Sequence, residues 1–341
     1  MALDLPLIWS GILAVAVLMY VLLDGFDLGI GILFPLAASP AERDVMMDTV
    51  APVWDGNETW LVLGGGGLFA AFPGAYAAVM PALYIPIILM LLALILRGVA
   101  FEFRLSGRKR GKALWTAAFT TGSLTATIAQ GLVLGGFIQG ITLKDGAFAG
   151  GPFDWLTPYT VLVAAGLVAG YALLGATWLI WRTENELHGR ARRWAWIAGG
   201  LTAGLLAAVS LATLFVHGRI AARWGFENGA FDLARLAPLL AIPALGAVGL
   251  AIVAIGLVRK AHFPPFLGTG IVFLSGYLGL AVSFFPNIVP YSMTFRQAAN
   301  PDNTLTLMLW GVAFLLPAIL GYSLWVYWIF RGKVGAGAGY H

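Results

Sequence analysis

The sequence predicts an all-α integral membrane protein with nine transmembrane helices. Of its 341 residues, 60% are hydrophobic and only 11% are charged, whereas soluble domains carry roughly 25% charged residues. Its apolar segments are each as long as the roughly 17 to 25 residues that a helix needs to cross a bilayer. Helices satisfy every backbone hydrogen bond within one segment, so long apolar runs favour helices over a barrel. We therefore expect one polytopic membrane domain over residues 1–341, without strands.

Nine segments are long enough to span. The first begins without a basic stretch and is expected to be a retained helix rather than a cleaved signal peptide. The break between the second and third is the least defined, because Pro73, Pro81 and Pro86 surround it. The predicted spans are 8–34, 55–77, 79–100, 114–138, 157–181, 195–217, 236–258, 266–286 and 305–330.

The segments can be grouped as two four-helix bundles followed by one peripheral helix. Tyr20-Val-Leu-Leu-Asp24 in the first helix resembles Tyr171-Ala-Leu-Leu-Gly175 in the fifth. This similarity suggests pseudo-repeat halves, 8–138 and 157–286, with the ninth helix at 305–330. Chance similarity between two apolar segments would produce the same pattern, so both explanations stay open.

The distribution of basic residues predicts the orientation. With the N-terminus outside and the C-terminus in the cytoplasm, the inner loops hold about three times as many Lys and Arg residues as the outer loops, as expected for cytoplasmic loops. The densest inner loop follows the third helix and contains Arg104, Arg108, Lys109, Arg110 and Lys112. The same distribution explains the predicted pI of about 9.4, so we expect no nucleic-acid partner.

Five carboxylates fall at the inner ends of the first three helices. Asp24 and Asp27 share a face near the end of the first helix, Asp55 and Glu58 open the second, and Glu102 closes the third. Helices rise about 1.5 Å per residue, which places all five at a similar depth. Carboxylates this close to lipid are costly and typically mark ion or proton paths. We therefore predict a proton path through Asp27, Asp55 and Glu102, joined by Asp24 and Glu58.

A structural role for some of these acids is an alternative. Asp55 could cap the second helix, with Glu58 completing a capping box. Glu102 could form an ion pair with Arg97 or Arg104 at the membrane surface. Asp27 has neither a cap position nor a basic residue within one turn, so it is the strongest candidate for proton transfer.

The residues from 54 to 67 also suggest a packing surface. Trp54, Asn57, Trp60 and the four-glycine run Gly64, Gly65, Gly66 and Gly67 are candidates for contact with a partner subunit or its cofactor. Glycines in lipid let a neighbouring backbone or a flat ligand approach closely. Ordinary helix–helix packing for the glycines, and interfacial anchoring for the tryptophans, are the alternatives.

Redox and metal chemistry are not expected in this chain. It has no cysteine, which excludes disulfides, iron–sulfur clusters and covalently attached haem. The histidines lie in inner loops, at an outer helix end and at the C-terminus, where no two face one another across the mid-membrane; they are His188, His262, His217 and His341. We therefore predict no catalytic residue, no haem ligand and no metal site here.

Several motifs resemble subunit II of the cytochrome bd-type quinol oxidases, including the cyanide-insensitive branch. The Trp-Asp-Gly-Asn block is the most specific, and together the motifs extend over nearly the whole chain. They are Asp24-Gly-Phe-Asp-Leu-Gly-Ile-Gly31, Ala51-Pro-Val-Trp-Asp-Gly-Asn57 with Trp60, Gly66-Gly-Leu-Phe-Ala-Ala-Phe-Pro73, Arg97-Gly-Val-Ala-Phe-Glu-Phe-Arg104, Gly135-Gly-Phe-Ile-Gln-Gly140, Gly175-Ala-Thr177 and Phe285-Pro286.

The resemblance implies a bacterial inner-membrane complex that oxidises quinol and reduces dioxygen to water. It implies haems b and d, or b in place of d, in a partner subunit I, with this chain as its non-haem-ligating heterodimer partner. Acids at the positions of Asp27, Asp55 and Glu102 would line a proton path, although the third is commonly Asp and some relatives carry Gln at Glu58. Some members also hold a structural quinone in this subunit or a small single-helix accessory subunit.

Two other functions use the same residues. A stand-alone proton- or cation-coupled transporter would use the acidic cluster without a haem-bearing partner. A purely structural subunit would use the acids as caps and ion pairs. These alternatives predict, respectively, no co-purifying haem and no effect of Asp27→Asn or Asp55→Asn on oxygen consumption.

Overall fold

The computed structural model describes residues 3–106, 109–227 and 229–335. Arg108, one of the basic residues of the predicted inner loop, and the C-terminal His341 lie outside these ranges. The helices are α1 (Leu5–Leu33), α2 (Pro40–Asp48), α3 (Trp54–Ala71), α4 (Pro73–Ala82), α5 (Tyr84–Ser106), α6 (Lys109–Gln139), α7 (Pro158–Arg182), α8 (Asn185–Val216), α9 (Gly218–Arg223), α10 (Leu233–Leu236), α11 (Ala241–Val258), α12 (Pro264–Phe284), α13 (Phe295–Ala298) and α14 (Asp302–Ile329).

The all-helical membrane class is confirmed. In the described ranges, eight helices are long and apolar enough to cross a membrane, and α3 with α4 forms a further bent pair. The expectation that the chain has no strands is wrong in detail, because three two-stranded antiparallel hairpins occupy the connections. They are β1 (Leu143–Lys144) with β2 (Ala147–Phe148), β3 (Phe226–Glu227) with β4 (Ala230–Phe231), and β5 (Asn287–Val289) with β6 (Met293–Thr294).

The second predicted span, 55–77, is not one straight helix. The chain breaks at Phe72, and the axes of α3 and α4 differ by 120°. Pro73 causes the break, because proline disfavours helical backbone at the residue before it; Phe72 accordingly has φ −132° and ψ 61°. The segment then continues as α4 through Pro81 and ends at Ala82, so α5 begins at Tyr84 rather than at 79.

Helix α1 lies at the centre of the packing and contacts α3, α6 and α7. Its closest approach is to α7, where a Cβ added to Gly29 would lie 1.9 Å from the carbonyl oxygen of Tyr171. A Cβ on Gly175 would likewise lie 2.5 Å from the carbonyl carbon of Gly29. The helices that carry the two segments of the predicted repeat are therefore in direct contact, and glycine is required on both sides of that contact.

Burial divides the spanning helices into central and peripheral ones. Over the most apolar 18 residues of each helix, 78% of the residues of α7 are buried, whereas only 6% are buried in α8 and in α14. Apolar side chains exposed on α14 include Leu307, Trp310 and Phe314. In a membrane protein such faces contact lipid or another subunit, so α8 and α14 form the outer surface of this chain.

Candidate functional site

One buried arginine on α5, Arg97, joins α5 to α1 and to the start of α3. Its side chain on α5 is 2% exposed. Nη1 donates to Oδ1 of Asp24 on α1 at 2.6 Å, and Nη2 donates to Oε2 of Glu58 on α3 at 3.0 Å. Two carboxylates and a guanidinium are thereby held together among apolar helices, where charges occur when they are paired.

Asp27 lies one turn further along α1 and is held by an amide instead of a cation. Nδ2 of Asn57 donates to its Oδ2 at 2.8 Å. The Tyr327 hydroxyl of α14 donates to Oδ1 of Asn57 at 2.7 Å, which fixes the orientation of that amide. The second carboxyl oxygen of Asp27, Oδ1, is buried and has no hydrogen-bond partner among the described residues. Asp27 therefore keeps one oxygen available for a proton or a water molecule.

A small cavity adjoins this carboxyl group. It is lined by Asp27 and Arg97 together with Val50, Trp54, Phe101 and Phe119, and it has room for about one water molecule. The cavity leaves room for a water molecule between Asp27 and Arg97, the arginine that pairs Asp24 and Glu58. Three of its four other lining residues are aromatic, which restricts the access of bulk water.

A second polar chain extends from Asp24 into the protein core. Tyr20 precedes Asp24 by one helical turn, so both side chains lie on the same face of α1. The Tyr20 hydroxyl accepts from Nε2 of Gln130 at 2.6 Å, and Oε1 of Gln130 accepts from the Tyr171 hydroxyl at 2.9 Å. The two tyrosines of the predicted repeat therefore bind opposite ends of one glutamine.

The structure separates the five predicted acids into two groups. Asp24 and Asp27 are buried, and Glu58 is half-buried beside Arg97. Asp55 and Glu102 are exposed in this chain. Three of the five are therefore held by Arg97 and Asn57, and two lie at the surface near the same helix ends.

The capping alternative does not describe α3. Its N-cap is Val53, without a side-chain hydrogen bond, and Asp55 lies in the first turn instead. Glu58 extends to Arg97 rather than back to the helix start. Arg104 donates to Asp44 at 2.8 Å and to Thr116 at 3.0 Å.

The predicted packing residues also divide. Trp54 contacts the Phe101 ring, with centroids 5.1 Å apart, and Trp60 is buried against Ala16 and Tyr20 of α1. Asn57, expected in the packing group, instead belongs to the Asp27 site.

The four glycines face two different surroundings. A Cβ at Gly67 would lie 2.6 Å from Leu13 of α1, and one at Gly64 would lie 3.7 Å from Val17, whereas Gly65 and Gly66 have no atom within 4 Å of that position. One side of the glycine run therefore packs on α1, and the other side is open.

Several residues of the site were not predicted. The sequence suggests Arg97 as a partner of Glu102, whereas a basic residue inside an apolar helix near acids can also indicate a buried ion pair. Tyr20, Gln130, Tyr171 and Tyr327 are ordinary in the sequence. Their hydrogen bonds join residues 41 to 270 positions apart in the chain, the largest separation being that of Tyr327 and Asn57, and no local pattern reveals them.

Helix α2, which lies outside the candidate spans, carries a further ion pair. Glu42 accepts a hydrogen bond from Nε of Arg190 at 3.0 Å and from the amide of Ala38 at 2.7 Å. Partial burial opposes ionisation of Glu42, but these hydrogen bonds outweigh it and lower its pKa. The pair ties the α2 connection to the start of α8.

No group of three His, Asp or Glu residues in the described ranges could hold a metal ion. His188 and His262 do adjoin each other, with ring centroids 4.8 Å apart. Both Nδ1 atoms face the carbonyl of Ile180, near the end of α7 rather than across the mid-membrane. The carboxylates, amide and guanidinium around Asp27 and Arg97 can hold and exchange protons.

Comparison with known proteins gives a consistent result. The family model for cytochrome bd terminal oxidase subunit II matches residues 5–330. The chain is 30% identical to the cytochrome bd-I ubiquinol oxidase subunit 2 of Escherichia coli K12, covering 97% of this chain and 95% of that protein. It is 29% identical to the cytochrome bd ubiquinol oxidase subunit 2 of Bacillus subtilis 168, covering 96% of each.

The fold agrees with these sequence relationships. A chain from the structure of bd oxidase from Geobacillus thermodenitrificans superposes with a TM-score of 0.77 over 97% of this chain and 100% of that one, at 15% identity. At that identity the likeness shows the fold alone. The family match over nearly the whole length decides the classification: this chain belongs to the cytochrome bd terminal oxidase subunit II family.

Proposed function

We propose that the chain is the second subunit of a quinol-oxidising, dioxygen-reducing complex of the bacterial inner membrane, and that it conducts protons from the cytoplasm toward the haem-bearing subunit I. Family membership supports the oxidase assignment, and two relatives are named ubiquinol oxidase subunits. The observation that supports proton conduction is the buried group in which Arg97 joins Asp24 and Glu58, while Asn57 holds Asp27. The N-terminus lies outside in this proposal, so the group faces the cytoplasm.

The haems, b and d or b alone, belong to subunit I in this proposal. This chain has no cysteine, and its buried polar groups are carboxylates, amides, hydroxyls and guanidinium groups, which do not provide an axial ligand pair for haem. When bound in the partner, the haems supply electron transfer and dioxygen binding. The part left to this chain is to deliver protons and to pack against subunit I. A structural quinone and a small accessory subunit remain features of some relatives.

The acids have different roles in the proposed path. Asp55 and Glu102 are exposed and can exchange protons with the cytoplasm. Asp24 is held as a paired carboxylate by Arg97 at 2.6 Å, because charge-assisted hydrogen bonds of this length are strong. Glu58 is half-buried between the surface and Arg97.

Asp27 is the carrier in this scheme. Its Oδ1 accepts a proton from a water molecule in the small cavity, while Oδ2 stays on Asn57. A carboxyl group that is oriented at one oxygen and unpaired at the other can take up and release a proton without moving its hydrogen-bonded side. Arg97 next to it keeps the neighbouring acids paired during that exchange.

The open side of α3 is the proposed contact surface for subunit I. Gly65 and Gly66 lie on it, together with the exposed side chains of Val62 and Phe69. Small residues allow the backbones of two membrane helices to approach closely. This places the partner, or the edge of a cofactor held by the partner, on the helix that supplies Glu58 and Asn57.

The proposal can be tested on the purified complex. The tagged chain is isolated in mild detergent, a reduced-minus-oxidised spectrum is recorded, and quinol-driven oxygen uptake is measured for the wild type, Asp27→Asn and Asp55→Asn. We expect the haem-bearing subunit to co-purify and Asp27→Asn to slow turnover by at least about tenfold, as for loss of other proton-transfer groups. The matched control is Asp302→Asn, which changes an exposed acid at the far end of α14.

Two outcomes would contradict the proposal. Purification without any haem-bearing subunit would favour the stand-alone transporter. Normal spectra with unimpaired turnover in both acid variants would favour a purely structural subunit.

A further inference from the structure

A second cavity lies at the end of α7, apart from Asp27. It is bounded by the turn that precedes α3, by the end of α7 and by the end of α14. Its lining includes Thr49, Pro52, Trp178, Arg182, Tyr327 and Phe330. It has room for about one water-sized group.

Two residues of its lining carry buried hydrogen-bond donors without an acceptor. Arg182 is 5% exposed and Trp178 is 2% exposed, and they lie one turn apart on α7. Nε of Arg182 and Nε1 of Trp178 make no hydrogen bond within the part of the chain that the structure describes. Most buried donors in proteins are satisfied, so two unsatisfied donors on neighbouring lining residues of one cavity indicate an acceptor that binds beside them.

Arg182 also lacks a counter-charge, and this distinguishes it from the other buried arginines. Arg97 pairs with Asp24 and Glu58, and Arg104 pairs with Asp44. Arg182 forms no ion pair within the described ranges. Its Nη2 donates to the carbonyl of Phe330, and its guanidinium carbon lies 5.3 Å from the centre of the Trp178 ring.

Capping of α14 explains only part of this arrangement. An arginine that donates to the carbonyl after a helix end stabilises the helix C-terminus, and this accounts for Nη2. It does not account for Nε, for the tryptophan donor or for the unpaired charge. The hydroxyls in the lining are already used as donors, since Thr49 donates to Met46 and Tyr327 donates to Asn57.

We propose that this cavity binds an anionic phosphate oxygen, which accepts hydrogen bonds from Arg182 and Trp178. The space admits one oxygen, so the rest of the phosphate would lie at the mouth of the cavity. The chemistry is the same for a lipid headgroup and for free phosphate. With the cytoplasmic orientation proposed above, the mouth faces the inner leaflet, where basic pockets between helices bind anionic headgroups.

The test is the thermal stability of the purified, delipidated complex. One arm compares added phosphatidylglycerol with phosphatidylcholine, and the other compares sodium phosphate with sodium chloride at equal ionic strength. We expect the phosphate-bearing anion to raise the wild-type Tm by about 3 °C or more, because ligands that bind the folded state stabilise it. Arg182→Gln is expected to abolish the shift, and Trp178→Phe to reduce it by at least about half, since it removes one of the two donors.

Arg193→Gln is the matched control, because Arg193 is exposed on α8 and is absent from the cavity lining. Its shift should equal that of the wild type. A shift with phosphatidylglycerol alone identifies a lipid headgroup, and a shift with both reagents shows that free phosphate also enters. Either supports the site if the variants lose it.

The site is overturned if neither reagent shifts the wild-type Tm beyond its reference compound, or if Trp178→Phe and Arg182→Gln respond like the wild type. Should Arg182→Gln fail to assemble, Trp178→Phe decides, since phenylalanine keeps an aromatic ring beside Phe26 and lacks the indole N–H donor. None of these outcomes depends on the proton path, because turnover is not the measured quantity.

Discussion

The two ends of α1 both carry ion pairs, but in very different surroundings. Toward its C-terminal end, Arg97 and Asp24 are 2% and 1% exposed. At its N-terminal end, Arg296 bonds Asp4, and the two side chains are 62% and 30% exposed. Water competes for this exposed pair and screens it, so such pairs contribute little. The buried pair has no such competitor, and removal of one partner leaves an unpaired charge among apolar helices.

The largest effect is expected from Arg97→Gln. This change leaves Asp24 and Glu58 without their cation, and breaking a buried pair on one side typically costs about 3–5 kcal/mol. We expect a large drop in the yield and Tm of the complex, measured in detergent. Arg259→Gln, an exposed arginine at the end of α11, should leave both unchanged.

A double variant sharpens this prediction. Asp24→Asn combined with Arg97→Gln removes both charges of the Arg97–Asp24 pair, so part of the lost stability should return if the cost arises from the uncompensated carboxylate. Additive losses in the double variant would show that Arg97 acts mainly through packing and not through its charge.

Tyr327→Phe should have a smaller and more selective effect. It removes the hydrogen bond that orients Asn57, worth about 1 kcal/mol, and lets that amide turn away from Asp27. We expect quinol-driven oxygen uptake to fall severalfold with a changed pH profile, while Tm falls only slightly. Tyr322→Phe, an exposed tyrosine on the same helix, provides the comparison; equal turnover in the two variants would mean that Asn57 needs no clamp.

Some of these features are predictable from the sequence, and others depend on contacts between distant residues. The helical class and most span positions were predictable, because hydropathy responds directly to the bilayer. The position of the bend at Phe72 was not predictable, since Pro73, Pro81 and Pro86 each offered a place for the helix to break. The acids were predictable as a group from their depth, whereas their partners depend on which helices touch.

Asp24 and Asp27 illustrate that limit. In the sequence they are equivalent carboxylates three residues apart on one face of α1. The structure gives one an arginine from α5 and the other an amide from α3, which leads to opposite proposed roles. Neither partner lies within a turn, so only the fold distinguishes the two acids.

A pH-dependent effect is expected at Glu42 on α2, whose pair with Arg190 is less buried than the Arg97 pair and less exposed than the Arg296 pair. The lowered pKa of Glu42 arises against burial from its hydrogen bonds to Arg190 and Ala38. Because the folded pKa lies below the unfolded one, the stabilisation is complete above the unfolded value of about 4.3 and is lost as pH falls through the folded pKa. Glu42→Gln should therefore lower Tm at neutral pH, with a difference from the wild type that shrinks in acid.

Glu186→Gln is the control for Glu42, because Glu186 also bonds Arg190 but is 86% exposed. Its Tm should differ little from the wild type at either pH. A constant difference between Glu42→Gln and the wild type from neutral to acidic pH would show that shape, and not charge, matters at this position.

The smallest effect is expected at the exposed pair of Arg296 and Asp4. Asp4→Asn weakens the bond to Arg296, and exposed pairs contribute about 0–1 kcal/mol. The Tm of the complex should therefore change by no more than a degree or two, and less at high salt, because screening already weakens the pair. The side chain of Asp4 also accepts from the amide of Leu7 at the start of α1. Asparagine keeps a side-chain oxygen for that cap, so the variant isolates the charge. A loss of Tm comparable to that of Arg97→Gln would contradict the view that burial makes the Arg97 pair contribute more stability than the exposed Arg296 pair.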